Sequence, residues 1–289
     1  MLRGGFGLTD RIGLIASYSE YLKAKHPAIH EQFERRGATD REAALAEAVV
    51  FRMLITLQVR PEVNEDPKLG GADFICMRWR GPLFKPSPQD RFVVEATSLN
   101  VSAVSTRSNL PNEIPDDISG GAYALVTPNI FNKVKDKATQ LANYPMPRVL
   151  AIVSGHNQVA ALFNAGTATW ALTSEIHWRH DIGSNVADPN DYTDLKNAIF
   201  MKPQPDGTME AVRKSISAIL LVAVYGDKSE VWGILHPAPA YPLNVELLSK
   251  VPFVRVAHWP IVDGHISTEW VIGNPKGFES AHMLIHWKE

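Results

Sequence analysis

The chain has 289 residues, of which 45% are hydrophobic and 21% are charged, and its formal net charge is −2. These values describe a globular protein with enough apolar residues for a large core. They exclude a basic field over the whole molecule, so any site for a polyanion must be a local patch. The single cysteine, Cys76, cannot form a disulfide within the chain. Because no apolar run is long enough to cross a membrane and no signal-peptide core follows Met1, we expect a cytoplasmic protein with no membrane partner.

The first segment of the chain has the pattern of helices. Apolar residues recur at helical spacing over residues 8–36, and Gly37 is predicted to end this run as a C-cap. We therefore expect an N-terminal helical arm over residues 1–38. The main domain is expected over residues 39–289.

The next helical pattern carries a glutamate that its surroundings do not explain. Thr39 followed by Glu42 is the sequence of a capping box, so we expect a helix to begin there and to continue to about Leu57. Within that helix, Glu47 stands beside the apolar stripe. Both a carboxylate that reaches solvent at the edge of the stripe and a functional carboxylate are compatible with this position. The helical neighbours of this glutamate are Ala43, Ala44, Val50, Phe51 and Leu54.

Two acidic residues interrupt two apolar runs that are predicted to be strands. Asp73 lies in the run Ala72–Trp79, and Glu95 lies in the run Arg91–Thr97. The runs are most simply antiparallel neighbours, because a proline-rich connection joins them. A carboxylate in such a strand must be ion-paired, hydrogen-bonded or bound to a cation, since burying it bare is too costly. A divalent metal would meet this need for both acids together.

A loop and a lysine-bearing helix are predicted after the second strand. Residues 98–121 show no sustained period, so we expect a loop there, either a mobile flap or ordinary surface chain. The following helix is expected to start near Pro128 and to end near Asn143. Three polar side chains share one face of this helix at spacings of four and three residues, and they are Lys133, Lys137 and Gln140.

The rest of the chain predicts more strands and one helix. Arg148–Val153 is apolar throughout, as in a central buried strand, and Gln158–Thr173 has a helical pattern. Ser217–Val224 and Val231–Leu235 are predicted to form one hairpin, and the turn signal Asp263-Gly264 predicts a second. The order strand, strand, helix, strand is expected of an α/β protein with a mixed sheet.

This order of elements resembles the PD-(D/E)XK, or restriction-endonuclease-like, nuclease superfamily. The resemblance covers roughly residues 43–153 and lies in the helix with Glu47, the segments Gly-Ala-Asp73-Phe-Ile and Val-Val-Glu95-Ala-Thr, the lysine-bearing helix and the next strand. It implies a mixed central sheet flanked by helices, preceded here by the helical arm and followed by C-terminal β-hairpins. The short motif is degenerate, and the order of the elements is its more specific part.

The resemblance implies a set of site residues. Asp73 and Glu95 are expected to hold Mg²⁺ or Mn²⁺, with the Ala96 carbonyl as a further ligand, and Glu47 is a candidate third acidic ligand. The family places a lysine two residues after the second acid, but Thr97 stands there in this chain. In some members a lysine from the following helix looks like a replacement. The candidates for this role are Lys133 and Lys137, with Gln140 lining the same site.

The function implied is hydrolysis of phosphodiester bonds by a metal-dependent endonuclease that acts on DNA. Such nucleases look like homodimers where both strands are cut. The alternative is a catalytically inactive module that binds nucleic acid or protein on the same fold, since Thr97 replaces the lysine and the chain has no basic excess. A third interpretation, metal-assisted hydrolysis of another substrate, depends on scattered histidines such as His177 and His180, which could meet on a helix.

Overall fold

The computed structural model describes most of the chain between Arg11 and Val271. The described residues are 11–64, 71–78, 87, 90–108, 110, 112, 121–173, 176–179, 188–193, 198–206, 208–225, 228–261 and 266–271.

The helices of the described residues are α1 (Arg11–Lys25), α2 (Pro27–Thr39), α3 (Arg41–Thr56), α4 (Val101–Ser108), α5 (Gly121–Gln140), α6 (Asn157–Leu162) and α7 (Ala165–Thr173). The strands are β1 (Val59–Val63), β2 (Phe74–Arg78), β3 (Arg91–Leu99), β4 (Arg148–Ser154), β5 (Ile176–Arg179), β6 (Asp188–Thr193), β7 (Met201–Pro203), β8 (Met209–Ala211), β9 (Ala218–Tyr225), β10 (Lys228–Leu235), β11 (Phe253–Val256) and β12 (Thr268–Trp270). Short 3₁₀ turns span Leu141–Asn143 and Val245–Leu248.

A mixed sheet forms the centre of the fold. Its strand order is β1-β2-β3-β4-β9-β10-β11-β12, and within it β3, β4 and β9 run parallel to one another. The strand β2 pairs antiparallel with β3, and β9 pairs antiparallel with β10. Two further antiparallel pairs, β5 with β6 and β7 with β8, lie outside this sheet. The protein is therefore α/β with a large mixed sheet flanked by helices.

The two faces of the sheet bury two separate apolar clusters. Residues of β2 to β4 such as Phe74 and Val94 pack with the helices α1, α2 and α3. The neighbouring residues Val93 and Leu150 belong instead to the cluster that includes α5, α6 and α7. This division follows from the pleat, because successive strand residues point to opposite faces. Among the described helices, none combines the length and the apolar character that crossing a membrane requires.

The strand predictions are confirmed where the structure describes them. The apolar runs with the two acids are β2 and β3, and they pair antiparallel as expected. The central strand is β4, whose seven residues are all buried between β3 and β9. The predicted hairpin is β9 with β10, and the second hairpin corresponds to β11 with β12. The turn Asp263-Gly264 and most of the proline-rich connection before Asp90 lie outside the described residues.

The loop predicted over residues 98–121 was wrong in part. Residues 101–108 form α4, whose start is capped by Asn100, since its Oδ1 accepts hydrogen bonds from the Ala103 backbone N–H at 3.0 Å and from the Ser102 hydroxyl at 2.7 Å. Helix α5 already begins at Gly121, so Pro128 lies inside it and does not start it. The lysine-bearing helix is thus longer than its sequence pattern suggested.

The predicted boundaries of the other helices also need correction. Gly37 lies inside α2, which continues to Thr39. The Thr39 hydroxyl donates to the Arg36 carbonyl at 3.1 Å, while Asp40 caps α3 by accepting the Ala43 N–H at 2.9 Å. Helix α3 therefore has no Thr39–Glu42 capping box. Further on, Asn164 separates α6 from α7 in the predicted helix Gln158–Thr173, because its side chain accepts the Thr167 N–H at 3.1 Å.

Candidate functional site

The structure places Asp73 and Glu95 side by side on the face of the sheet that α5 covers. Asp73 stands one residue before the first β2–β3 pair, Phe74 with Val94, and is therefore across from Glu95. Its Oδ2 accepts the Ala96 backbone N–H at 2.6 Å. The exposed fraction is 8% for Asp73 and 3% for Glu95. Both carboxylates are thus buried on one face of the sheet, where the register of β2 and β3 places them across from each other.

Lys137 of α5 reaches this pair of acids. Its Nζ donates to Glu95 Oε1 at 2.6 Å and to Gln140 Oε1 at 2.9 Å. The Gln140 side chain in turn donates through Nε2 to the Gly71 carbonyl at 3.0 Å. A chain of hydrogen bonds therefore runs from the segment before β2 through α5 to Glu95. Such a chain fixes where the ammonium lies relative to the acids.

Thr97 lies on the same strand face as Glu95, two residues further along β3. Its exposed fraction is 8%, and it pairs in register with Ile152 of β4. An ammonium group comes to the acid from Lys137 on the neighbouring helix, while the position two residues after the acid carries a hydroxyl. The structure thus brings a helix lysine to the carboxylate that the resemblance would pair with a lysine on the strand.

Lys133 lies one helical turn before Lys137 and is half-buried. Burial lowers the pKa of its ammonium, the positive charges of Lys137 and Arg107 lower it further, and Asp136 and Asp40 oppose the shift. Lys133 therefore lies within reach of the charges of Lys137 and Arg107, and of the opposite charges of Asp136 and Asp40.

Glu47 is buried in the layer of α1, α2 and α3. Its Oε1 accepts the Tyr18 hydroxyl at 2.8 Å, and its Oε2 accepts a hydrogen bond from the Arg36 guanidinium. Its exposed fraction is 4%, so the solvent-reaching alternative does not apply. These contacts join three helices through one carboxylate. Because α3 packs on the face of the sheet opposite to α5, the structure does not bring Glu47, the candidate third metal ligand, to Asp73 and Glu95.

Sequence reasoning missed Tyr144, which holds the backbone of the residue before Asp73. Its hydroxyl oxygen accepts the Ala72 N–H at 2.7 Å and the Asn64 side-chain amide at 3.0 Å. Gly71 has φ +148°, and a Cβ at that position would lie 2.5 Å from the Tyr144 hydroxyl oxygen. No local pattern in the sequence indicates these contacts, because Tyr144 lies after the 3₁₀ turn that follows α5 and its partners are 72 and 80 residues away.

The donor atoms of the site fit a magnesium ion. Mg²⁺ prefers oxygen ligands and is commonly held by one or two carboxylates together with water, and Asp73, Glu95 and the Ala96 carbonyl supply such oxygens. Within the described ranges no group of three or more His, Cys, Asp or Glu side chains could hold a metal, so a zinc site of that kind is not formed there. His177 lies in the strand β5 and not in a helix, and His180 is outside the described residues.

Comparison with known proteins gives no match, whether with family models, with curated proteins or with solved structures. The geometry around Asp73, Glu95 and Lys137 is therefore the basis on which a function can be assigned.

Proposed function

We propose that the protein is a Mg²⁺-dependent nuclease that hydrolyses phosphodiester bonds in DNA, on a sheet of the restriction-endonuclease-like kind. The observation that carries the proposal is the ammonium of Lys137, 2.6 Å from Glu95 Oε1, beside a second buried acid, Asp73. Two acids and a lysine that converge from a sheet and a helix are the groups that metal-assisted phosphodiester hydrolysis needs.

Asp73 and Glu95 would hold the metal ion, with the Ala96 carbonyl as the further candidate. When bound, Mg²⁺ would supply a Lewis acid that lowers the pKa of a coordinated water and offsets the charge of the phosphate. The Ala96 N–H already holds Asp73 Oδ2 at 2.6 Å, which orients this carboxylate before any ion binds. The protein thus contributes oriented oxygen donors in a buried setting.

Lys137 is the candidate for stabilising the negative charge that develops on the phosphate oxygens. Its ammonium has three N–H donors, of which Glu95 and Gln140 accept two in this structure. Gln140 is also tied to Gly71, so it acts as a positioning residue for the lysine. A preorganised donor of this kind stabilises a transition state without the cost of reorganisation.

The cations around Lys133 favour a polyanionic substrate. The charges of Lys137 and Arg107 reach Lys133, as do those of Asp136 and Asp40, in a chain whose formal net charge is −2. A local cluster of this kind can hold the phosphate groups of a nucleic acid that the molecule as a whole would not attract. The choice of DNA as the substrate comes from the family resemblance.

The test is cleavage of linear duplex, nicked and single-stranded DNA, with RNA as a comparison, in Mg²⁺ or Mn²⁺. We expect metal-dependent cleavage that Asp73→Asn and Glu95→Gln each abolish. Glu62→Gln is the matched control, because it neutralises an exposed carboxylate on the neighbouring strand β1. Cleavage that persists in both site variants would overturn the proposal.

The same ion pair also favours a second candidate, a module that binds nucleic acid without cutting it. Lys137 already neutralises Glu95, and Thr97 provides no second ammonium. Two measurements separate the candidates. In a calorimetric titration, the nuclease should bind Mg²⁺, and Glu95→Gln should weaken that binding. The inactive module should bind DNA equally well with and without Mg²⁺.

A further inference from the structure

Arg148 is a buried arginine and the first residue of the central strand β4. It lies next to the end of α5. Its exposed fraction is 2%. Its Nη1 donates to the carbonyl oxygens of Leu141 and Ala142 at 3.3 and 2.9 Å, in the 3₁₀ turn that follows α5. A cation at this position complements the negative end of the helix dipole. The Nη1 atom of the guanidinium therefore has hydrogen-bond acceptors.

The other two guanidinium nitrogens of Arg148, Nε and Nη2, are buried. Within the described part of the chain neither has a hydrogen-bond acceptor. The N–H groups of these two atoms point in the same direction, along one edge of the planar guanidinium. This edge is the fork that binds two oxygens of a carboxylate or a phosphate in parallel.

The charge of Arg148 is not balanced by a protein carboxylate in the described residues. Burial lowers the pKa of its guanidinium, and the Tyr241 phenol is the ionisable group that opposes this shift. An arginine nonetheless stays protonated in proteins, so the buried group is a cation. A buried cation with two idle donors is costly, whereas an anion on the open edge would satisfy charge and hydrogen bonds together.

Tyr241 covers the guanidinium from the protein surface. Its ring centroid lies 4.8 Å from Arg148 Cζ, and its exposed fraction is 40%. Ser217 supports both residues, since its hydroxyl donates to the Tyr241 carbonyl at 2.5 Å and accepts the Arg148 backbone N–H at 2.9 Å. A partly exposed ring therefore lies against the guanidinium of Arg148.

We propose that Arg148, closed over by Tyr241, is a binding site for a small oxyanion, either phosphate or the carboxylate of a small molecule. The two oxygens of the ligand are held by Nε–H and Nη2–H, and Tyr241 moves aside to admit it. The site shares no residue with the proposed nuclease site. It contacts the turn that follows Gln140, the last residue of α5, so ligand binding would act on the end of the helix that carries Lys137.

Titration of the whole chain with inorganic phosphate and, separately, with acetate tests the proposal by thermal unfolding, with sodium chloride at matched ionic strength as the reference. We expect a saturable rise in Tm with at least one oxyanion and none with chloride. A response to phosphate alone or to acetate alone identifies the source, and both results support the site. Equal unfolding curves in all three salts would overturn it.

Arg148→Lys keeps the charge and removes the fork, so it should weaken oxyanion binding by about tenfold or more. The matched control is Arg213→Lys, because Arg213 also lies over an aromatic ring, with its Cζ 4.3 Å from the Phe131 centroid, and burial lowers its pKa too. The control variant should bind as the wild type does. Equal affinity in Arg148→Lys and the wild type would refute the assignment.

Arginine side-chain NMR of the wild-type protein decides the matter if Arg148→Lys fails to fold. The Nε–H resonance of Arg148 should shift in a saturable way as the oxyanion is added, while that of Arg213 should not. If the Arg148 resonance stays constant through a titration that raises Tm, the ion binds elsewhere and the proposal is wrong.

Discussion

Two buried glutamates of this protein each bind a cation, and the difference between them separates a structural contact from a candidate site. Glu47 lies among α1, α2 and α3 with an exposed fraction of 4%, and Glu95 lies under α5 with an exposed fraction of 3%. Glu47 accepts hydrogen bonds from Tyr18 and Arg36, one on each carboxylate oxygen. Glu95 is paired through Oε1 with Lys137, and a second acid, Asp73, stands beside it.

The cations differ in ways that suit the two settings. The guanidinium of Arg36 is planar and permanently charged, so it joins α2 firmly to Glu47 on α3. The ammonium of Lys137 is a compact charge on a flexible stem, which can turn from the acid to a ligand. We infer that Glu47 stabilises the helical layer, and that Glu95 can exchange its partner Lys137 for a ligand. Substitutions should therefore affect stability at the first glutamate and activity at the second.

The largest effect is expected from Lys137→Met. Loss of its ammonium should lower the rate of metal-dependent DNA cleavage by about a hundredfold or more, because it removes a preorganised donor to the phosphate. Lys135→Met is the matched control, since Lys135 is an exposed lysine of the same helix. The rates are compared in single-turnover assays. If both variants cleave equally fast, the Glu95–Lys137 pair is structural and the comparison fails.

Glu47→Gln should destabilise the protein more than Glu95→Gln does. The first change leaves Arg36 without its charge partner, and we expect the free energy of unfolding to fall by about 2 kcal/mol. The second removes one of two adjacent acids, so relief of repulsion with Asp73 offsets part of the loss. Urea denaturation at neutral pH measures both.

Titration with Mg²⁺ adds a second readout to this pair of variants. We expect Glu95→Gln to weaken Mg²⁺ binding and Glu47→Gln to leave it unchanged. Equal weakening in both variants would show that Glu47 is a metal ligand, as the family resemblance implies, and would remove the distinction between the two glutamates.

Two glycines, one next to the candidate site and one in the helical layer, extend the comparison between these two regions. Gly71→Ala should cost about 2 kcal/mol and slow cleavage, because φ is +148° there and the new Cβ would meet the Tyr144 hydroxyl that holds the Ala72 N–H. Gly13→Ala in α1 meets no atom within 4 Å and should stabilise the helix by about 0.7 kcal/mol. Thermal unfolding and cleavage assays measure both, and a destabilising Gly13→Ala would contradict the packing described for α1.

The smallest effect concerns the pKa of Lys133. The positive charge of Lys137 contributes to lowering this pKa, so Lys137→Met should raise it and keep Lys133 protonated to higher pH. Burial would still hold the pKa below the usual lysine value. NMR titration of the lysine side-chain signals provides the measurement. An unchanged Lys133 pKa would show that the two ammonium groups do not share one environment.

Sequence reasoning found the strands of the site but not all of its helices. The runs that became β2, β3 and β4 are rich in apolar and β-branched residues, so the sequence indicates strands there before any partner strand is known. Helix α4 has eight residues and begins after Asn100, a residue that is common both in turns and at helix starts. Eight residues are too few for a helical period to stand out in a segment whose composition is typical of a loop.

The choice between neighbouring caps shows the same limit. Thr39 and Asp40 are both good N-cap residues, and only the continuation of α2 to Thr39 decides that Asp40 caps α3. Glu42 is then released from its predicted capping role and accepts the Val101 N–H at 2.7 Å. The contact spans 59 residues of sequence, beyond the reach of a local pattern.

The sequence by itself determined that Asp73 shares a strand face with Ile75, and Glu95 with Val93 and Thr97, because the side-chain period of a strand is two. It also placed Lys133, Lys137 and Gln140 on one face of a helix, because residues three and four apart are neighbours there. Only the tertiary structure decided that Asp73 and Glu95 share a face, that Lys137 reaches Glu95, and that Arg36 and Tyr18 bind Glu47. It also decided that Nε and Nη2 of Arg148 lack an acceptor among the described residues. The physical reason is that side chains one helical turn apart stand about 5.4 Å from each other, so the packing of α5 on the sheet selects which ammonium makes the contact.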